Sequence, residues 1–202
     1  SMITSGRYKN VLLIGADKMS SIVDYEDRAT CIIFGDGAGA VLFEASDSDF
    51  GWEDEYLRSD GSGRKYLNIK AGGSLLPTSR LTVENKMHNL YQDGKTVFKY
   101  AVSRMSDATE QIIKRNKIDP KEIAYLVPHQ ANSRIIDATA KRINLPTEKV
   151  MRNIEKYGNT TAATLPLLLK DYEKKLRPGD KLIFAAFSGG FTWGAAYLTW
   201  SY

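Results

Sequence analysis

The 202-residue sequence holds 28 Lys and Arg against 24 Asp and Glu, a formal charge of +4, with one Cys, two His, 16 Gly and 6 Pro. One Cys excludes an internal disulfide and favours a reducing, cytoplasmic setting, and two His this far from each other and from the Cys exclude a zinc site. The charge is too mild to imply nucleic acid, no apolar run approaches the roughly 20 residues that cross a bilayer, and the N-terminus lacks a signal-peptide pattern.

The first strong pattern, Val11 to Asp17 (VLLIGAD), is an apolar run of the kind found in a strand buried on both faces. Such a strand needs neighbours on both sides, yet only ten residues precede it. Ser1-Met2 therefore reads either as a fusion scar before a start Met or as a cut in a longer chain. Two further strand-like runs, Cys31 to Phe34 and Ala38 to Phe43, flank Gly35-Asp36-Gly37, and Asp-Gly between such runs predicts a hairpin turn. Gly35-x-Gly37-x-Gly39 is not read as a nucleotide loop, because that loop opens a helix whereas Val41-Leu42-Phe43 continues as strand.

From Ser46 to Asp93 the chain is polar and punctuated by glycines, which reads as an insertion with a strand near Trp52 to Leu57 and a long excursion bordering a site. Phe98, Ala101, Val102, Met105, Ala108, Ile112 and Ile113 then follow helical spacing. Ile123 to Val127 is a short strand. Asn132 caps a predicted helix that buries Ile135, Ile136, Thr139, Ala140 and Ile143 and turns Asp137, Lys141 and Arg142 to water. A helix from Thr160 to Lys175 tolerates Pro166 in its early turns. Strands follow at Leu182 to Phe187 and Thr192 to Trp200. Strand and helix alternate, so the class is α/β.

Three segments could carry chemistry. His129, in Pro128-His129-Gln130-Ala131-Asn132, lies between a strand end and a helix start, where α/β proteins place their sites. A catalytic and a structural imidazole are both open there. Asn159, after Gly158, reads equally as a cap. Gly189 and Gly190 follow a buried strand, where missing side chains permit close backbone approach to a neighbouring strand or to an oxyanion. Cys31 reads as an inert packed thiol and His88 as a solvated imidazole.

In order, DRATCIIFGDGAGAVL, VPHQANSRIIDATA, YGNTTAATLPLLL and FSGGFTWGAAYL closely resemble the β-ketoacyl-acyl carrier protein synthase III family. The resemblance implies a thiolase-like fold, five layers α-β-α-β-α when complete, and a homodimer. It divides the chain into the end of a first half (1–46), a variable insertion (47–93) and a second half (94–202). It implies decarboxylative condensation of an acyl-CoA primer, typically acetyl-CoA, with malonyl-acyl carrier protein, initiating fatty acid biosynthesis without a cofactor. His129 and Asn159 match the family's decarboxylation pair and Gly189 its oxyanion-hole glycine. Arg28, Phe98, Ala131, Asn132 and Phe187 match residues around coenzyme A and its pantetheine arm, and Arg134 and Lys99 a patch that docks the carrier protein. Gln92 stands where many relatives have Met. The family's nucleophilic Cys aligns upstream of Ser1, so the chain reads as a C-terminal portion, inactive by itself. Two alternatives stand beside this reading: a condensing enzyme for a specialised metabolite or a longer or branched starter, and a non-catalytic carrier-protein or CoA-binding module.

Overall fold

Continuous apolar runs become strands and 3.6-period segments become helices in the computed structural model, which describes residues 2–202. β1 (Asn10–Asp17) and β2 (Gly37–Glu44) pair antiparallel along their whole length, with Asn10 opposite Glu44 and Asp17 opposite Gly37. The predicted hairpin at Gly35-Asp36-Gly37 is thus absent. Residues 27–33 coil instead into helical turns, with the Thr30 and Cys31 N–H groups both bonded to the Asp27 carbonyl, so Cys31 lies in a turn and not in a strand. Asp36 serves another purpose: its carboxylate accepts hydrogen bonds from the Ser20 hydroxyl at 2.6 Å and the Ser20 N–H at 2.7 Å. Those bonds, the hydroxyl's first, hold the Asp36 carboxyl below the usual carboxylate range.

The main sheet contains β3 (Gly51–Ser59), and residues 60–93 add β4 (Leu67–Ile69), α1 (Arg80–Glu84) and β5 (Leu90–Gln92). Next come α2 (Gly94–Arg115), β6 (Ile123–Pro128), α3 (Ser133–Arg142), α4 (Ile154–Tyr157), α5 (Thr164–Tyr172), β7 (Lys181–Ser188) and β8 (Thr192–Thr199). The sheet order is β3-β8-β7-β6, with only β6 and β7 parallel. β3, read from sequence within the insertion, is therefore an outer strand of this sheet, and the Arg115 guanidinium clamps it to α2 through two bonds of 2.6 and 2.7 Å to Asp54. β4 and β5 form a separate ribbon.

Both faces of the four-stranded sheet are covered. Ile183, Ala185 and Phe187 of β7 pack with Met105 and Ile112 of α2 and Ile136 of α3, while Leu182 and Phe184, on the opposite face, pack with Leu168 of α5. Alternation along the strand produces this, since successive side chains point to opposite faces. α5 lies against both β6 and β2. The layers therefore run α2 and α3, the four-stranded sheet, α5, then β1 and β2. Beyond the β1–β2 ribbon no layer follows among the described residues, and Leu12, Ile14 and Leu42 are exposed there. The strand expected to be buried on both faces is buried only on one.

Close packing of β1 and β2 on the segment from Tyr157 to Pro166 explains the glycine run. A Cβ at Gly37 would lie 2.9 Å from Thr160, one at Gly39 2.6 Å from Pro166, and one at Gly15 or Gly35 would collide with the backbone carbonyl of Ala162 or Tyr157. These glycines are required by proximity, not by a hairpin's positive φ.

Candidate active site

β6 delivers His129 to the carboxyl end of the sheet. The His129 N–H donates to the Ala185 carbonyl at 2.7 Å, extending the parallel β6–β7 ladder by one bond beyond the strand. The imidazole is buried, and loss of water lowers its pKa from 6.5 to about 4. At neutral pH the ring is therefore uncharged, with one nitrogen an N–H donor.

Gln130, a residue that sequence reasoning passed over, ties this strand end to its surroundings. It is completely buried, its Nε2 donates to the Pro128 carbonyl at 2.9 Å and the Met151 carbonyl at 3.3 Å, and its Oε1 accepts from the Asn153 and Ile154 N–H groups at 3.1 Å. Its own N–H donates to Thr164 Oγ1 at 3.0 Å, reaching the start of α5. A buried glutamine with its carboxamide and its own N–H all paired specifies one arrangement of the three segments. The only sequence signal was a polar residue beside His129.

Asn159 lies midway along the 153–164 stretch. Its N–H and carbonyl bond to Ile33 and Gly35 at 2.9 and 3.0 Å, making an isolated parallel bridge at Phe34. The side chain is buried, and Oδ1 accepts from the Thr161 N–H at 3.0 Å. A peptide N–H can only donate, so the acceptor oxygen is fixed on that side and the NH₂ group is presented as a donor. The capping reading and the catalytic reading thus describe two ends of one carboxamide.

The other sequence candidates divide between this centre and a cleft. Phe187 ends β7 and is buried, its ring 4.9 Å from that of Phe191, which also packs on Tyr66 and Tyr100. Gly189 follows it, facing Leu67. A cleft of about 600 Å³ is lined by Asp24, Asp27, Lys70, Lys86, Tyr91 and Gln92, among others. Exposed Arg28 sits in the turn that forms one wall, and Phe98, more than a third exposed, stands on the first turns of α2 just beyond Gln92. Ala131 is half-buried, and Asn132 caps α3 by accepting from the Arg134 N–H at 2.9 Å. Arg134 and Lys99 are exposed. His88 is not simply solvated: it is half-buried, with Nε2 3.0 Å from Thr82 Oγ1. Among the described residues no group of three or more His, Cys, Asp or Glu could hold a metal ion, and no helix is long and apolar enough to cross a membrane.

Comparison with known proteins places this geometry. The profile of 3-oxoacyl-[acyl-carrier-protein] synthase III matches residues 1–61, and that of the same synthase's C-terminal part matches residues 113–200. The chain belongs to the 3-oxoacyl-[acyl-carrier-protein] synthase III family. A beta-ketoacyl-[acyl-carrier-protein] synthase III from Phocaeicola vulgatus is 58% identical over all 202 residues, which span 60% of that protein. The synthase III structure from Thermus thermophilus superposes with a TM-score of 0.89 at 40% identity, covering 99% of this chain and 62% of that one. The Aquifex aeolicus synthase III structure gives 0.87 at 38%, covering 98% and 60%. The chain thus spans about 60% of the length of these synthase III relatives, and its fold is thiolase-like α/β, as the motifs implied.

Proposed function

We propose that these residues belong to a condensing enzyme that joins an acyl-CoA primer, typically acetyl-CoA, to malonyl-acyl carrier protein with loss of CO2, the step that initiates fatty acid biosynthesis. The observation that supports this reading is a buried imidazole, uncharged at neutral pH, on the end of β6, in a chain that also buries a carboxamide whose NH₂ group is left as donor. In decarboxylation the bond between the malonyl α-carbon and the carboxylate breaks, its electron pair moves into an enolate, and negative charge develops on the thioester oxygen. The N–H of His129 and the NH₂ of Asn159 donate to that oxygen; pre-set donors in a dry site are worth far more than in water. The enolate carbon then attacks the acyl thioester carbonyl, and the backbone N–H of Gly189 contributes to stabilising the oxyanion. The carbonyl re-forms as the thiolate leaves, and the thiolate is reprotonated.

Cys31 is not the acyl acceptor in this reading, since the resemblance aligns the family's nucleophilic Cys upstream of Ser1 and gives Cys31 a structural position. Residues 1–46 then close the first half of the thiolase-like unit and 94–202 form the second. Residues 47–93 supply a sheet strand and a wall of the cleft. Arg28, Phe98, Ala131, Asn132 and Phe187 serve coenzyme A and its pantetheine arm, and Arg134 with Lys99 meets the acidic carrier protein. The protein acts as a homodimer in the cytoplasm and uses no cofactor.

The reading is tested by separating the half-reactions of full-length protein. His129→Ala is expected to lower CO2 release from malonyl-carrier protein by about a hundredfold or more, while acyl transfer from acyl-CoA to the enzyme thiol stays measurable. Equal loss of both steps would contradict the assignment.

A further inference from the structure

Asp17, the last residue of β1, lies 144 positions before Thr161 in the chain, yet its Oδ2 accepts two hydrogen bonds from the turn that carries Asn159. One comes from the Thr161 hydroxyl and one from the Ala162 N–H at 3.0 Å. Thr161 sits at φ +49°, in the left-handed region where a β-branched residue is an outlier. A residue persists there only when its surroundings impose it, and such outliers concentrate where a site needs a fixed geometry. At Thr161 the imposing group is Asp17, one carboxylate oxygen of which holds the hydroxyl and the next peptide N–H together. Gly15, two residues earlier on the same strand, lets β1 approach so closely that any side chain there would strike the Ala162 carbonyl.

The same distorted residue orients Asn159, because the Thr161 N–H is the donor that fixes Asn159 Oδ1. We propose that Asp17 is a positioning residue for the Asn159 carboxamide: it locks Thr161 in its left-handed conformation, which turns the Thr161 N–H onto Oδ1 and aims the NH₂ group at the developing oxyanion. The inference rests on the role given to Asn159 above. Without Asp17, Thr161 relaxes toward negative φ, its N–H swings away, and the carboxamide is free to rotate.

The test uses full-length protein, with CO2 release from malonyl-carrier protein and acyl transfer from acyl-CoA measured separately. Asp17→Ala is expected to lower kcat for CO2 release by about tenfold to a hundredfold, the scale of a small displacement of a catalytic group, with KM for malonyl-carrier protein and the acyl-transfer rate unchanged. Asp17→Asn, whose carbonyl oxygen can accept both bonds, recovers most of the rate. Thr161→Gly removes the penalty on positive φ, so Asp17→Ala costs less in that background. Should Asp17→Ala fail to fold, Thr161→Val, which deletes only the hydroxyl bond, is expected to lower kcat in the same selective way. Equal losses in both half-reactions, or unchanged CO2 release where Asn159→Ala abolishes it, would overturn the role of Asp17 and leave that of Asn159 intact. Full CO2 release by Asn159→Ala would remove the underlying reading, and this proposal with it.

Discussion

His129 shows how burial prepares a side chain for one kind of chemistry. Burial lowers its pKa to about 4, so the ring is uncharged at neutral pH; in the proposed mechanism it would act as a neutral N–H donor. The unfolded chain binds a proton near pH 6.5 and the folded one only near 4. Between these values the unfolded state therefore holds more protons, so stability falls as pH is lowered through the window and is fully present above it. For full-length protein, the slope of unfolding free energy against pH between 4 and 6.5 is expected to be shallower in His129→Gln, by at most about 1.4 kcal/mol per pH unit. An unchanged slope in chemical denaturation would show that His129 does not titrate with folding. The position of this residue was legible because a strand pattern ended beside it. Asp17 was not, because its two donors come from a turn 144 residues away and no local pattern announces such a contact.

At the scale of elements, amphipathic and fully apolar patterns identified α2, α3, α5, β6, β7 and β8. They failed where a motif admitted two physical causes. Asp-Gly suggested a hairpin, but the glycines at 15, 35, 37 and 39 form a side-chain-free floor on which the Tyr157 to Pro166 segment rests. Whether a glycine serves positive φ or close approach depends on what packs against it, and that partner is distant in sequence. Gly35→Ala tests the floor, since its Cβ would meet the Tyr157 carbonyl beside the bridge to Asn159. It is expected to destabilise full-length protein by about 1–3 kcal/mol and to slow CO2 release more than acyl transfer. Wild-type stability by urea denaturation together with wild-type CO2 release would show that the contact is not tight. Gln130 acts at the same scale, joining β6 to the 151–154 segment through its buried carboxamide and to α5 through its backbone N–H.

Across the whole molecule, four consecutive layers are seen where the family's complete unit has five, and the apolar residues Leu12, Ile14 and Leu42 lie on the uncovered side of the last. Exposed apolar patches on this scale mark surfaces that another body of protein covers. The sequence carried this in outline, as a strand patterned for burial on both faces. The relatives' greater length accords with it, since the chain spans only 60% of the Phocaeicola vulgatus synthase III. Motif order made the family readable from sequence; the four-layer stacking depended on contacts that no single segment encodes. In the function proposed above, this scaffold holds the decarboxylation half of a condensing centre whose thiol lies elsewhere. The most direct measurement is product and CO2 formed from malonyl-carrier protein with acetyl-, branched and longer acyl-CoA, by full-length protein and by the 202-residue chain. The full-length protein is expected to form one CO2 and one β-ketoacyl-carrier protein per acyl-CoA consumed, fastest with acetyl-CoA, and the 202-residue chain is expected to give no condensation. Turnover by the short chain, or none by the full-length protein with any primer, would contradict it.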